Sequence, residues 1–552
     1  MNRKLRALAM VATLALAFSA CGGDDGDDEA TEIVDWRGKS EVTIEMTDNV
    51  FTPENVRIDP GTKVTWVNLG RAAHQLDAYN RDGFGIDFDS DLVDFDPDGT
   101  YSFTFDTAGS YRYFCALHGS NVAGMIGAVV VGDGNLDDVA TSTVPDGASA
   151  DTLRVPQDHE TIQAAVDASS PGDLILVDKG VYNEAVEINP PHENIVIRGV
   201  DRNETILDGE FDENKPNGFK VLADGVAIEN ITAKNYSTNG FFWTGVDGYR
   251  GSYLNSYRTG SYGIYAFDSV NGQFDHNWAA GASDGGLYIG QCNPCNAFVT
   301  DFEAQWNGIG YSGTNAGGNL VIVNSSWHHN RIGMVPNSGT GETLYPQRGT
   351  TIVGNLVYSN SNYGTAAISL AELAAGSGIL IAGGNDNVIE RNRVWDHDDL
   401  GIGIIPLPET ILNPDNANAI DFDATGNIVR DNDVSDSRVA DLVAVKNITE
   451  PNDSGDNCFE GNTFGSSLPE AIEELLPCAG APVGTLTAPI DTLIDVFLSE
   501  QPPSVDYREA KLPPIPVNEN MPDPLNAPPV PASDGAVPGT IDLATVTLPA
   551  KP

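Results

Sequence analysis

Cys115, His118 and Met125 place a thiolate, an imidazole and a thioether within eleven residues of one another. They lie in the run Tyr113-Phe114-Cys115-Ala116-Leu117-His118 and in Gly124-Met125-Ile126-Gly127 just beyond it. One histidine, His74, stands upstream in a strand-like segment. A cysteine sulfur, two imidazole nitrogens and an axial methionine make up the donor set that suits copper in an electron-transfer site. The sulfur ligands favour Cu(I) and the imidazoles accept both oxidation states, so one electron can come and go with little rearrangement. The expectation is one mononuclear type 1 copper, because Ala116 and Leu117 leave no second cysteine in the loop for a binuclear centre. Zinc would take the same nitrogens and thiolate but would gain little from the thioether. A lone cysteine or methionine in a β core is commonly a packing residue. Four donors in this order argue against that reading here.

Such a site needs short strands to hold it, and residues 41–132 supply them. Val42-Thr43-Ile44-Glu45-Met46 alternates in polarity, and so does Thr62 to Asn68 after the turn signal Asp59-Pro60-Gly61. Tyr101 to Phe105, Tyr111 to Phe114 and Ile126 to Val131 add further strands, which together predict a small β-sandwich or barrel. The segment resembles plastocyanin- and halocyanin-like cupredoxins in four places. These are Phe51-Thr52-Pro53, Val64-Thr65-Trp66-Val67-Asn68 leading to His74, the aromatic-rich Cys115-x-x-His118, and Gly124-Met125-x-Gly127. The resemblance implies a Greek-key sandwich in which His74, Cys115, His118 and Met125 are the copper ligands. Met125 follows His118 by seven residues, more than in the commonest loops of that family, which bears on the strength of the axial ligand.

The rest of the 552 residues has room for a second, larger domain. Against 79 Asp+Glu there are only 29 Lys+Arg, a formal net charge of −50. That excess excludes nucleic acid and anionic lipid as partners and leaves neutral or cationic ones, chiefly a redox protein with a neutral or basic docking face. Arg3, Lys4 and Arg6, the apolar Ala7 to Phe18, and Phe18-Ser19-Ala20-Cys21 read as an export signal. The resemblance is to bacterial lipoprotein signals, which implies lipid on Cys21, an outward-facing protein and a membrane attachment through that lipid alone. Cleavage by ordinary signal peptidase, giving a periplasmic or extracellular protein, is the alternative, since Phe18 replaces the usual leucine. An acidic flexible tether is expected over 22–40. With Cys21 and Cys115 assigned, Cys292 with Cys295 and Cys458 with Cys478 remain as disulfide candidates in an oxidising compartment. Cys292-x-x-Cys295 also admits a redox pair, although no thioredoxin-like βαβ context surrounds it.

After a linker at 133–150 the architecture changes. Thr161 to Val166 reads as a short amphipathic helix and Leu174 to Val177 as a buried strand, a sequence resembling the N-terminal cap of right-handed parallel β-helix proteins of the pectin-lyase type. Ile264, Leu287, Ile309 and Ile332 recur at spacings of 23, 22 and 23 in Gly-flanked apolar contexts. Asn-x4-Asn recurs at Asn387/Asn392, Asn427/Asn432 and Asn457/Asn462, which predicts an internal amide ladder or turn residues. Periods of this length mean a solenoid, expected over 151–480. The fold class predicted is therefore all-β, a cupredoxin sandwich followed by a right-handed parallel β-helix. A Pro-rich tail over 481–552 is expected to be extended, either disordered or against the solenoid.

β-Helices of this type often act on acidic polysaccharides. Asp284, Glu303, Tyr311, His328, Arg331 and Arg348 are candidates for proton abstraction beside a carboxylate on the middle coils. The leading reading is an exported electron carrier whose β-helix serves as a docking or carbohydrate-binding platform. A polysaccharide lyase or epimerase with an accessory copper domain is one alternative. Copper delivery, by analogy with β-helix accessory proteins of nitrous-oxide reductase maturation, is another.

Overall fold

The computed structural model describes residues 33–47, 50–70, 74–78, 93–95, 99–119, 124–133, 151–368, 374–412, 418–449, 455–479, 502–532 and 541–552, with isolated positions between them. The expected export signal, Cys21 and the linker fall outside the described residues.

In strand Thr62–Asn68 every second residue is buried, the period of a strand with one face on a core. It lies between Glu41–Thr47 and Thr100–Phe105 in a four-stranded sheet with Val50–Thr52. A second sheet runs in the order Val34–Asp35, Asn55–Ile58, Gly124–Val131, Gly109–Gly119, His74–Ala78 and Val93–Phe95. The two sheets share one core containing Ile44, Val56, Val64, Trp66, Tyr113 and Val129. Trp66 sits at its centre with its ring edge-on to Tyr113, centroids 5.3 Å apart. Val34–Asp35 pairs with Val56 and Arg57 and Trp36 packs on the core, so the sandwich begins inside the stretch expected as tether.

From Thr152 the chain winds into a solenoid with three long parallel sheets. The first has twelve strands, from Thr152–Val155 to Cys458–Glu460. The second, Gly180–Tyr182 to Thr463–Phe464, and the third, Val186–Ile188 to Ser467–Leu468, have eleven each. Helix Ile162–Ala168 caps the open N-terminal end, with the Thr161 side chain accepting from the Ala164 amide as N-cap. Cys458–Cys478 closes the other end, and Cys292–Cys295 pins a turn between the third and first sheets. The repeat spacing needs one correction. Leu287 pairs with Tyr311, not Ile309, and Ile309 pairs with Gly285 and Ile332. The inward column is thus Ile264, Leu287, Tyr311 and Met334, because one coil is two residues longer than the apolar spacing suggested.

Amide ladders run inside the corners, as the Asn-x4-Asn pattern anticipated. Asn355, Asn392, Asn432 and Asn462 each pass a side-chain N–H to the next side-chain oxygen, at 3.0, 3.0 and 2.9 Å. Gln347, Asn387, Asn427 and Asn457 form a second ladder. A third, Asn307, Asn330 and Asn360, ends on His397, whose Nε2 accepts from Asn360 at 3.3 Å. These groups satisfy the backbone amides that a solenoid corner cannot pair within its sheets.

The described parts of the tail lie against the solenoid. Arg198 donates to the carbonyls of Pro524, Ala527 and Pro528, and Arg258 to those of Tyr507, Arg508 and Ala510. The Asn203 side chain donates to the Asn518 carbonyl and accepts from the Asn518 amide, both at 2.9 Å. Arg393 holds Pro549 at 2.7 Å, so the returning end of the tail is tied to the C-terminal coils.

Two outcomes follow from the ladders. Asn392→Ala removes two donated and two accepted bonds in a fully buried corner. We expect a loss of about 3 kcal/mol or more, read as a lowered solenoid melting temperature. Burial holds the pKa of His397 down to about 3. Below the ordinary histidine value the unfolded chain therefore binds the extra proton. The stability from neutral His397 is complete above about pH 6.5 and falls by up to roughly 1.4 kcal/mol per pH unit toward pH 3. His397→Gln should remove that one-proton slope from the melting profile between pH 6 and pH 4.

Candidate metal centre

Cys115 lies toward the end of strand Gly109–Gly119, the longest of the sandwich, and is fully buried. His74 opens the neighbouring strand, which meets it through Asp77–Phe114 and Ala78–Tyr113, so the pairing holds the two residues on adjacent strands. Nδ1 of His74 stands 3.6 Å from Sγ of Cys115. A metal about 2.3 Å from sulfur and 2.0 Å from nitrogen, subtending roughly 120°, would separate its donors by nearly that much. The Gln75 amide donates to the same sulfur at 3.4 Å, as a backbone N–H does to a thiolate. Both groups are fully buried, and Met125 is 2% exposed.

Met125 belongs to strand Gly124–Val131, on the other side of Gly109–Gly119 from His74. The register between these strands shifts between Gly124 and Ile126, so Met125 sits at an irregularity of the kind that re-aims a side chain. Gly127 pairs with Tyr113, and a Cβ there would stand 2.6 Å from the Tyr113 ring. The second glycine of Gly-Met-x-Gly is thus required by the aromatic that anchors the cysteine strand. His118 lies in the same strand as Cys115, but its side chain is outside the described residues. Neither disulfide takes Cys115. The donor set fits copper in chemistry and in the one donor separation available.

The solenoid candidates fall on different faces. The Tyr311 ring lies inside the coil with its hydroxyl on the Ile289 carbonyl at 3.3 Å, a consequence of the corrected register. Glu303 and His328 meet on the second sheet, Oε1 to Nε2 3.2 Å, where the His328 ring stacks on Tyr358. Asp284 and Arg331 occupy one corner two coils apart, with Gly308 between them. Asp284 accepts from the Tyr262 hydroxyl at 3.0 Å, and Arg331 donates to the Tyr363 and Pro502 carbonyls. Arg348 opens a strand of the first sheet. The six do not converge on one constellation. Two tyrosine–carboxylate pairs, the half-buried Tyr262–Asp284 and the buried Tyr288–Glu342, draw their partners from separate coils, so neither pairing could be read from the sequence.

Comparison with known proteins agrees with the geometry of the sandwich. The family model for copper binding proteins of the plastocyanin/azurin family matches residues 38–132. The chloroplastic plastocyanin of Tetradesmus obliquus is 37% identical over 87 residues, 15% of this chain, which spans 58% of that protein's length. Amicyanin-alpha of Methylorubrum extorquens is 32% identical over 114 residues, 21% of this chain and 92% of the relative. Over the solenoid, the A-module of an Azotobacter vinelandii mannuronan C-5 epimerase is similar at 16% identity and a TM-score of 0.40, covering 55% of this chain and 90% of that one. Through residues 38–132, this chain belongs to the plastocyanin/azurin family of copper binding proteins.

Proposed function

We propose that the protein carries single electrons through one mononuclear type 1 copper held by His74, Cys115, His118 and Met125. The observation that carries this reading is the buried pair of Cys115 sulfur and His74 Nδ1 at 3.6 Å, with the Gln75 amide directed at the sulfur. Copper bound there would cycle between Cu(I) and Cu(II). The residues do the rest. Cys115 anchors the thiolate at the end of a strand fixed on both sides, and the Gln75 amide offsets part of its negative charge. His74 is set by the same strand pairing, so neither donor needs to move when the charge changes. Met125 offers its thioether from the strand opposite. The closed core behind them excludes water, which keeps solvent reorganisation small during transfer.

The β-helix is read as the platform that presents this domain to a redox partner with a neutral or basic face. Export through the N-terminal signal, with lipid on Cys21, puts the site outside the cytoplasm, where both disulfides persist.

Addition of Cu(II) to the purified protein should give an intense visible thiolate-to-copper band at one copper per chain. Cys115→Ser should abolish it, and absence of a band in the unsubstituted protein sinks the electron-transfer reading. Cys21→Ser should release the protein from the membrane fraction into the soluble exported fraction. Retention of the variant on membranes would remove the lipid anchor from the proposal.

A further inference from the structure

In the tail run Leu512-Pro513-Pro514-Ile515-Pro516 every residue is a proline or precedes one. Proline fixes φ near −65° and pushes the residue before it out of the helical region. The run therefore favours the polyproline II helix, which has three residues per turn and no internal hydrogen bond. Residues 512–521 carry both marks. No backbone hydrogen bond joins one of them to another. Leu512, Ile515, Asn518 and Met521, three apart, are half-buried, and only Pro513 and Asn520 join them. The remainder are exposed, Val517 to 92%.

The solenoid meets this segment with a track across successive coils, from Gly281 through Tyr257 and Asn230 to Arg202. Its donors take the segment's carbonyls. The Tyr257 hydroxyl donates to that of Pro513 at 3.0 Å, the Asn203 side chain to that of Asn518 at 2.9 Å, and Arg202 to that of Glu519 at 3.0 Å. In return the Asn518 and Met521 amides donate to the side-chain oxygens of Asn203 and Asn230, at 2.9 and 3.0 Å. The facing side chains are matched as well. A Cβ on Gly281 would collide with Leu512, and the Asn518 side chain donates to Asn255 at 2.7 Å.

Beside Tyr257 lies the ring of Trp278, stacked at 6.1 Å between centroids and 1% exposed. Ala279 points into the coil core, so the period of two turns Trp278 outward, to the side of the sheet where Tyr257 meets the tail. Nε1 of Trp278 and Nε of Arg202 are buried with no acceptor among the described residues, so the tail does not use every donor present. Aromatic rings with side-chain donors suit a proline-rich segment, whose carbonyls are free and whose backbone is ordered before it binds.

We propose that this track is a recognition site for polyproline II segments, with the chain's own residues 512–521 as its resident ligand. The partner it fits is a proline-rich stretch with two aliphatic residues three apart and an asparagine three further on. Tethered in cis, the tail fills the site at a high effective concentration, and a second segment enters only when the tail's facing side chains no longer fit.

The test uses the full chain with Leu512→Asp and Ile515→Asp, which spoil the facing side chains and leave the track intact. The probe is a fluorescent synthetic peptide of residues 510–522. It should bind this variant at least about tenfold more tightly than the unsubstituted protein, whose tail blocks the track. The same peptide with Pro513→Ala, Pro514→Ala and Pro516→Ala keeps the facing residues and loses the ordered backbone, and should bind about tenfold more weakly. Equal binding of the natural peptide to both proteins, or binding to neither, overturns the proposal. Equal binding of the two peptides to the variant overturns it too, since the track would then accept any extended chain. If the double variant does not fold, Ile515→Asp alone gives the same comparison.

Discussion

Parallel pairing between successive coils is the constraint from which the rest of the solenoid follows. In a strand the side-chain period is two, so one residue of slippage would exchange the whole interior for the exterior. The register holds across eleven or twelve strands per sheet, and it is the corners that fix it. Asn387, Asn392 and His397 stand five residues apart, one in each ladder of the same coil. Asn387 and Asn392 share hydrogen bonds with the coils on both sides, and His397 takes one from the coil before it. A slipped coil would leave those buried amides unpaired, at a cost of about 1–3 kcal/mol for each group. The ladders thus supply specificity that the apolar interior, tolerant of exchange among Leu, Ile, Val and Phe, cannot supply alone.

That distinction explains what was legible in the sequence. The Cys115–His74 pair could be anticipated because Cys115, His118 and Met125 lie within one short stretch and His74 follows a recognisable strand. The solenoid was legible from its period and its asparagines. The register was not, because coil length varies: Asn355 to Asn392 is 37 residues and Asn392 to Asn432 is 40. Apolar spacing alone set Ile309 in one column with Leu287 and left Tyr311 as a candidate acid–base group. Pairing reverses both, with Ile309 packed under an alanine-rich excursion. His397 was hidden for a related reason. It fills a ladder position with a neutral imidazole, and the preceding coil's Asn360 could have pointed to it by following Asn355 at the same five-residue interval. Pairings that reach beyond the sheet, such as Tyr288 with Glu342, follow no period, since they depend on which loops fold back over which sheet.

The sandwich follows a different rule. Its candidate site lies beside one irregular strand pair, at the register shift between Gly124–Val131 and Gly109–Gly119. Cys115 needs a rigid strand behind it, and Trp66 and Tyr113 provide it by filling the core on either side. Tyr113 in turn demands Gly127, and the register shift at Met125 lies just before that glycine. The spacing Gly-Met-x-Gly is therefore a packing requirement as much as a ligand motif. This accounts for its clarity in a sequence otherwise only about a third identical to its relatives over this region.

Charge ties the two parts together. With 29 basic and 79 acidic residues, the protein has few cations to place, and the structure uses many of them internally. Arg198 bonds Glu229 and three tail carbonyls, Arg258 bonds three more, and Arg393 bridges Asp433 and the tail. A guanidinium satisfied by neutral carbonyls holds a proline-rich segment that has few N–H donors of its own to offer a sheet. The tail thereby fastens coils that do not touch one another, which a solenoid of nearest-neighbour contacts otherwise lacks. The same arrangement withdraws positive charge from solvent and leaves the carboxylates as the outer field. At physiological salt that field reaches only about 8 Å, so it acts on a partner already close to the surface. A cationic protein would be drawn to this exterior and a polyanion repelled from it.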